Sequence, residues 1–395
     1  MLTIRPMSDT QFMRLALQLA RRGYGATSPN PMVGAVLVKG GKIIGSGWHR
    51  RAGLPHAEIE ALSVAKENGF STKGSTLYVT LEPCCTHGRT PPCTEAIIAA
   101  EIKRVVVGAT DPNPDHSGKA FKILKRAGIK VVHGILGEEC AKLNEAFNHW
   151  IVHRTPFVTV KAAMTLDGKI ATASGESKWI TGEKARAYGM KLRQGRDAIL
   201  VGVNTVLADD PSLTFRPAGS PKSKVQSPKL LRRIVLDSMA RTPLNAKVVR
   251  DKFAALTTIV ASKHAPKNRV NALAKRVNVL VAPTINSKLN LGWLLKKLGT
   301  ENVTSLLVEG GGEVNASFML GGLAQRVAFF YAPKILGGRD SRKAVAGDGV
   351  TKLVDAIQLC EVEWKNLGDD LLLTARVGVQ ALACVPSRKS KTKTS

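Results

Sequence analysis

Gly53-Leu-Pro-His-Ala-Glu58 and Thr80-Leu-Glu-Pro-Cys-Cys-Thr-His-Gly-Arg-Thr-Pro-Pro-Cys93 are the two strings that decide how this 395-residue chain is read. From His56 to Asn68 apolar residues recur at helical spacing (Ile59, Leu62, Ala65), and Gly69 suits the position just after a helix. Ser75–Leu81 reads as a strand and Thr94–Ala100 as the next helix. The imidazole of His56 and the thiols of Cys84 and Cys93 are donor types suited to zinc, and three protein donors leave a fourth position for water. A purely structural zinc site normally has four, so this set points to catalysis. Zinc brings the pKa of a bound water to roughly 7. A carboxylate must then carry protons, and Glu58 is the candidate. Residues i and i+2 of a regular helix point about 200° apart. His56 and Glu58 can therefore share a site only if His56 stands at the helix mouth, where the preceding Pro55 would put it. Cys84 and Cys93 each follow proline and precede or open a helix, where the dipole favours thiolate.

Outward from these strings the chain alternates. Residues 8–22 read as a helix with a capping box of Ser8 and Gln11 and an apolar face of Phe12, Leu15, Ala16 and Leu19. Ser28-Pro-Asn-Pro31 leads into Val33–Val38, and Gly40-Gly41 turns the chain into Lys42–Trp48, a hairpin. Strand Arg104–Ala109, helix Gly118–Ala127 and strand Ile129–His133 complete an α/β layered sheet. One helix over Glu138–His153 ends at Arg154-Thr-Pro156, where the domain boundary is placed. Beyond it strands are expected at Phe157–Ala163, Asp197–Val203, Arg232–Leu236, Leu256–Ala261, Val277–Val281 and Ser305–Val308. Two late apolar runs, Val327–Tyr331 and Leu371–Arg376, read as antiparallel strands closing a mixed sheet. No fixed-period repeat is visible, which excludes a solenoid.

Composition narrows the classes. Apolar residues make up 44% of the chain and no run reaches eighteen of them, so neither a disordered chain nor a membrane span is expected. The start, Met1-Leu-Thr-Ile-Arg-Pro, lacks the apolar core of a secretory signal. Six cysteines, three of them within ten residues, point to metal chemistry in a reducing compartment, and a cytoplasmic location is expected. The net charge of +28 is uneven: residues 218–300 hold seventeen Lys/Arg against two acids (Asp237, Asp251). Such a segment suits phosphorylated small molecules or nucleic acid, or is a solvated face with no specific ligand. Residues 385–395 form a basic tail that reads as disordered. In the second half, Val308-Glu-Gly-Gly-Gly-Glu-Val-Asn-Ala-Ser317 sets three glycines between a strand and a helix. Backbone N–H groups there can approach a phosphate, though the pattern is not Gly-x-Gly-x-x-Gly.

The zinc-deaminase signature pairs His-x-Glu with Pro-Cys-x-x-Cys. Here eight residues separate Cys84 from Cys93, and position 87 is His87, an alternative third donor; adjacent Cys85 reads as a bystander. With Ser28-Pro-Asn-Pro-Met-Val-Gly34, these strings resemble the bifunctional RibD family of riboflavin biosynthesis, which fuses a pyrimidine deaminase to a reductase. The resemblance covers nearly the whole chain apart from the basic tail. It implies a cytidine-deaminase-like three-layer α/β/α domain with zinc over 1–153 and a dihydrofolate-reductase-like mixed-sheet domain over 154–384. His56, Cys84 and Cys93 would hold Zn2+ and Glu58 would shuttle protons. Asn30, His49, Arg89, Asp111 and Asn113 match positions expected to contact the pyrimidine nucleotide. The family commonly has His two residues after the first cysteine ligand, where this chain has Thr86.

Lys161-Ala-Ala-Met-Thr-Leu-Asp-Gly168, Ser174-Gly-Glu-Ser-Lys-Trp-Ile180 and Val201-Gly-Val-Asn-Thr-Val-Leu-Ala-Asp-Asp-Pro211 resemble the reductase half of the same family. That implies NADPH bound by Ala163, Trp179, Thr205, Asp209, Ser238 and the run Gly311, Gly312, Glu313, Val314, Asn315, Ala316 and Ser317. Lys161, Ser177, Arg193, Leu213, Arg216 and Glu309 would bind the substrate, with Arg193 and Arg216 suited to a sugar phosphate. The implied reactions are hydrolytic deamination of 2,5-diamino-6-(5-phosphoribosylamino)pyrimidin-4(3H)-one, then NADPH reduction of ribosyl to ribityl. The expected partner is that phosphorylated pyrimidine ribosylamine, in a homo-oligomer without membrane or nucleic acid. The alternative is a tRNA deaminase with a basic accessory domain, which the zinc motif and the charge permit.

Overall fold

Gly40 and Gly41 turn the first hairpin with both φ angles positive (+55° and +76°), a conformation that glycine adopts without steric cost. The computed structural model describes residues 7–87, 91–216 and 230–378. The chain divides into two units, Met1–Phe157 with Lys296–Thr304 and Val158–Leu295 with Ser305–Ser395. The first contains α1 (Asp9–Ala20), β1 (Gly34–Lys39), β2 (Lys42–Trp48), α2 (Ala57–Glu67), β3 (Thr76–Leu81), α3 (Cys93–Ala99), β4 (Arg104–Ala109), α4 (Lys119–Arg126), β5 (Lys130–His133), α5 (Gly137–Leu143) and α6 (Glu145–His153). Its sheet order is β2-β1-β3-β4-β5, with β1 antiparallel to both neighbours and β3, β4 and β5 parallel.

Strict alternation builds the three layers. Ala35, Leu37, Leu77, Val79, Val105 and Val107 pack with Ala57, Ala61 and Ala65 of α2 and with Ile97 and Leu124. The intervening Val36, Val38, Tyr78 and Val106 pack instead with Phe12, Met13, Ala16 and Leu17 of α1 and with Cys140. The capping box at Ser8 and Gln11 forms as expected. The single helix expected over Glu138–His153 is instead two, broken at Asn144. The Asn144 side chain leaves the helical pattern to grip Met32, accepting its N–H at 2.8 Å and donating to its C=O at 2.9 Å. That pair closes the turn ahead of β1. The unit also includes a later piece of chain: Trp150 Nε1 donates to the Gly299 carbonyl at 2.9 Å, and the Phe157 N–H to Thr304 at 2.9 Å.

The remaining elements are β6 (Phe157–Thr165), β7 (Lys169–Ala171), α7 (Glu183–Gln194), β8 (Ala198–Gly202), α8 (Val203–Asp209), β9 (Arg232–Leu236), α9 (Lys247–Arg250), β10 (Thr257–Ser262), α10 (Lys267–Ala274), β11 (Asn278–Ala282), β12 (Thr284–Ile285), β13 (Lys288–Leu289), α11 (Leu291–Thr300), β14 (Ser305–Val308), α12 (Gly312–Leu320), β15 (Arg326–Ala332), β16 (Arg342–Lys343), β17 (Leu359–Leu367) and β18 (Asp370–Val377). Nine strands form a mixed sheet, β11-β10-β9-β8-β14-β6-β15-β18-β17. β15 and β18 are antiparallel to each other, as the two late apolar runs suggest, and β15 is parallel to β6 on its other side. β17 has no counterpart in the sequence reading, because its residues face mostly outward at the sheet edge and show no apolar run. Arg233, in the basic segment, is fully buried and makes five hydrogen bonds, two of them to Asp251 at 2.7 and 2.8 Å. That charge is structural. No helix among the described residues is long and apolar enough to cross a membrane. The basic tail lies outside the described residues.

Two stability experiments follow from these contacts. Arg233→Met should cost about 3 kcal/mol by removing the ion-pair partner of Asp251 and the donor to the Ser212 carbonyl, read as a lowered thermal midpoint. Asp9 is held below the usual carboxylate range by hydrogen bonds from Arg104 (2.9 and 2.6 Å) and Tyr78 (2.7 Å). A lowered carboxyl pKa gives stability that is full above the unfolded value and lost as pH falls through the folded one. The gap between wild type and Asp9→Asn should therefore be widest at neutral pH and close in acid below about pH 4.

Candidate functional site

The first unit brings His56, Cys84 and Cys93 together. α2 lies so close on β2 that a Cβ on Gly45 would meet the Ala61 carbonyl oxygen, and one on Gly47 the Glu60 Cβ. The small-residue contact fixes where α2 begins. His56 is its capping residue, in extended backbone (φ −73°, ψ 165°), while Glu58 is inside the first turn. The change of backbone conformation between them lets both face one spot. Cys84 follows β3, and Cys93 opens α3 behind Pro92. His56 Nδ1 is 3.5 Å from Cys84 Sγ and 3.3 Å from Cys93 Sγ, and the Cys93 N–H points at Cys84 Sγ at 3.2 Å. The three donor atoms lie within 4.8 Å of one another. Two sulfurs and an imidazole nitrogen are weak partners for each other but match the donor preferences of zinc, so the residues fit that ion. His87 is 73% exposed, 3.6 Å from Glu95, and stands apart from this cluster.

Electrostatics here are coupled. The hydrogen bond with Cys93, against the cost of burial, pulls the Cys84 thiol down to about 4, while the same contact and burial push Cys93 up. The hydrogen bond with Cys84 raises His56. Glu58 is 3% exposed, and burial, reinforced by Cys84, pushes its carboxyl up to about 7. A carboxyl at that value exchanges protons readily near neutral pH.

Asn30 and His49 are joined to this centre. His49 Nδ1 bonds the Pro55 carbonyl at 3.1 Å, so that nitrogen carries the hydrogen and Nε2 accepts from Asn30 Nδ2 at 3.1 Å. Burial lowers the His49 pKa, and its ring packs edge-on to His56 at 5.2 Å. Asp111 accepts from the Asn113 N–H at 2.9 Å and sits 3.3 Å from His116 Nδ1. Arg89 lies outside the described residues. Sequence reading missed Glu82, a buried carboxylate that accepts three backbone N–H groups, from Asp111 (3.2 Å), Gly118 (3.0 Å) and Ala120 (3.1 Å). An acid directly ahead of Pro83-Cys84 at the end of an apolar strand was the available signal.

In the second unit the central feature is Glu309, just past β14. Arg193 donates to it through Nε at 2.8 Å and Nη2 at 2.9 Å, and Lys161 Nζ on β6 is 3.7 Å away. Against the cost of burial these two cations hold its carboxyl down at about 2. Arg193 also donates through Nη1 to the Thr214 carbonyl, and Arg233 to the Ser212 carbonyl, both at 3.0 Å. Between them Leu213 is buried in the left-handed region (φ +49°), which a non-glycine side chain adopts only when its surroundings insist. The Arg193 fork, read as suited to a sugar phosphate, is thus engaged by Glu309. Arg216 is exposed.

Ser177 Oγ donates to Asp209 at 3.4 Å at the end of α8, which also carries Thr205. Ala163 lies on β6 and Ser238 just past β9, its carbonyl accepting from Ser262. Trp179 is 66% exposed beneath Arg186. Gly311 caps α12, and Gly312, Glu313, Val314, Asn315, Ala316 and Ser317 form its first turns. Gly310 and Gly312 are required by close approach: a Cβ would meet Val314 in one case and the Lys343 carbonyl in the other. Beside Gly311 nothing lies within 4 Å of such a Cβ. Glu309, Ser238 and α8 all follow the carboxyl ends of strands β14, β9 and β8, where ligands collect in parallel sheets.

Known proteins share both halves. Residues 6–109 match the cytidine and deoxycytidylate deaminase zinc-binding region, and residues 156–373 match the RibD C-terminal domain. The chain is 43% identical over 371 residues to the riboflavin biosynthesis protein RibD of Actinobacillus pleuropneumoniae, covering 94% of this chain and 96% of that one. It is 44% identical to that of Aquifex aeolicus, covering 92% and 97%. The solved structure of Acinetobacter baumannii RibD is similar with a TM-score of 0.81 at 36% identity, covering 94% of this chain and 99% of that one. A Thermotoga maritima structure, described as a diaminohydroxyphosphoribosylaminopyrimidine deaminase/5-amino-6-(5-phosphoribosylamino)uracil reductase, gives 0.78 at 36% identity and the same coverage. Because this similarity runs through the thiol–imidazole cluster and the glycine loop alike, the chain belongs to the RibD family.

Proposed function

We propose that this chain catalyses two consecutive steps of riboflavin biosynthesis. It removes an amino group from 2,5-diamino-6-(5-phosphoribosylamino)pyrimidin-4(3H)-one by hydrolysis, then reduces the ribosyl group of the product to ribityl with NADPH. The observation that carries the reading is the convergence of His56, Cys84 and Cys93 beside buried Glu58 in a chain whose other half matches a RibD reductase domain. A nucleic-acid deaminase with a basic accessory domain is disfavoured by that second match, and by the burial of Arg233 within the basic segment.

His56, Cys84 and Cys93 hold zinc, which when bound lowers the pKa of a water to about 7. Glu58 then moves a proton from water to the departing amine nitrogen, a task suited to a carboxyl raised by burial. His49 locks the Asn30 amide in orientation, so that the ring meets a fixed pattern of donors and acceptors. Asp111, Asn113 and Arg89 complete the nucleotide contacts.

In the reductase half NADPH supplies the hydride, and the chain's residues bind and orient the two reactants. The α12 N-terminus from Gly311 to Ser317 receives a phosphate of the dinucleotide. Ala163, Trp179, Thr205, Asp209 and Ser238 hold the rest of it. Ser177, Leu213 and Arg216 contact the substrate, with Lys161 and Arg193 presented by Glu309. We assign the deaminase to residues 1–153 and the reductase to 154–384, working in the cytoplasm as a homo-oligomer.

The decisive assay follows ammonia release and NADPH oxidation on one zinc-loaded preparation given the diaminopyrimidine nucleotide. Both should occur; failure of both rejects the function. Glu58→Gln should keep zinc, measured by elemental analysis, and lose about 100-fold or more in ammonia release. Its NADPH oxidation on the deaminated substrate should be unchanged. Glu309→Gln should raise the reductase KM about tenfold by freeing Lys161 and Arg193 from their shared anchor; an unaltered KM would remove that positioning role.

A further inference from the structure

An open cleft of about 610 Å³ lies at the carboxyl ends of β6 and β15, and no residue assigned to either reaction lines it. Its volume is that of a small-molecule site. Met164, Phe329 and Tyr331 form the floor. Side chains alternate along a strand, and Phe330, between Phe329 and Tyr331, packs instead with Lys161 and Tyr188. The floor is therefore on the face of the sheet opposite the contact between Lys161 and Glu309. Tyr331 is half-buried, its ring 6.0 Å from that of Trp364. Its hydroxyl makes no hydrogen bond to protein among the described residues.

The rim carries the charge. β7 and β16 pair antiparallel with one register shift, and the pairing sets Lys343 against Lys169, both of which line the cleft. Like charges directly across a ribbon cost stability. Neither ammonium has an ion-pair partner among the described residues. Asp167 is the one acidic side chain on the wall, and its carboxylate is spent on its own loops. It accepts from Thr165 Oγ1 at 2.6 Å and from the N–H groups of Leu336 and Gly337 at 3.1 and 2.8 Å. The net field at the mouth is positive.

We propose that this cleft binds a planar aromatic anion, its ring against Phe329 and Tyr331 and its phosphate or carboxylate between Lys169 and Lys343. An aromatic floor suits a flat apolar body, and two ammonium groups suit an anion that offsets their mutual repulsion. The Tyr331 hydroxyl donates to an acceptor on the ring. The site is separate from the metal cluster in the first unit and from the substrate contacts around Glu309.

Flavin mononucleotide, a flat ring system carrying a phosphate, is the probe, titrated by calorimetry into the full-length zinc-loaded chain with NADP+ at saturation. Riboflavin supplies the same ring without the anion, and inorganic phosphate the anion without the ring. Flavin mononucleotide should bind once per chain, about tenfold or more tighter than either comparison ligand, and should weaken as salt is raised. Lys169→Ala and Lys343→Ala should each weaken it about tenfold, the scale of one charge-assisted hydrogen bond. Tyr331→Phe should weaken it about threefold. Lys343→Glu should abolish it and raise the thermal midpoint by about 1 °C, because an acid then faces Lys169 in place of a like charge. Absence of binding, equal affinity for riboflavin, or affinity untouched by both lysine-to-alanine variants overturns the assignment. Binding is read without ammonia release or NADPH oxidation, so loss of either activity rejects the catalytic reading and leaves this site to stand or fall on its own titration.

Discussion

The convergence of one imidazole and two thiols depends on how closely α2 can approach the sheet. Glycines at 45 and 47 on β2, facing the alanine stripe at 57, 61 and 65, leave no room between helix and strand. The helix is thereby seated directly on the strand, and His56 and Glu58 at its start are placed with it. Cys93 is set the same way, as the first residue of α3. Donors mounted at the beginnings of helices have rigid backbones behind them, which is what a metal centre needs from a fold. The remaining donor, Cys84, hangs on the loop after β3, and its position is secured by the Cys93 amide rather than by a helix of its own.

In the second unit the equivalent constraint is a charge cluster. Glu309 is nearly enclosed and tolerable there only because Arg193 grips it through two nitrogens while Lys161 stands by. The third nitrogen of Arg193 reaches the backbone beside Leu213, so one guanidinium links β14, α7 and a left-handed turn. Arg233 supports the same turn from the opposite side. Residues proposed to bind substrate thus owe their placement to contacts with one another.

Much of this was legible before any coordinates. Strands buried on both faces, such as Gly34–Lys39 and Arg104–Ala109, announce themselves as unbroken apolar runs, and the helix caps at Ser8 and His56 follow from local chemistry. What escaped notice shares a cause: it depends on partners distant in the chain. The break at Asn144 exists to serve Met32, 112 residues earlier. β17 is an edge strand in which Val362 and Trp364 alternate with Glu361, Glu363 and Lys365, a pattern without the unbroken apolar run that marks the central strands. Glu82 gave only a weak signal, and His116 sits in a turn where periodicity says nothing.

The hydrogen bond from the Trp150 indole to Gly299 has a bearing on modularity. Although the two activities read as successive halves along the gene, the first folding unit borrows residues 296–304 from deep within the second half. A protein cut at the apparent seam would strand a buried indole donor, because Gly299 would leave with the other half. Splitting such a gene in evolution, or swapping its halves as cassettes, would therefore demand a compensating change at that borrowed stretch.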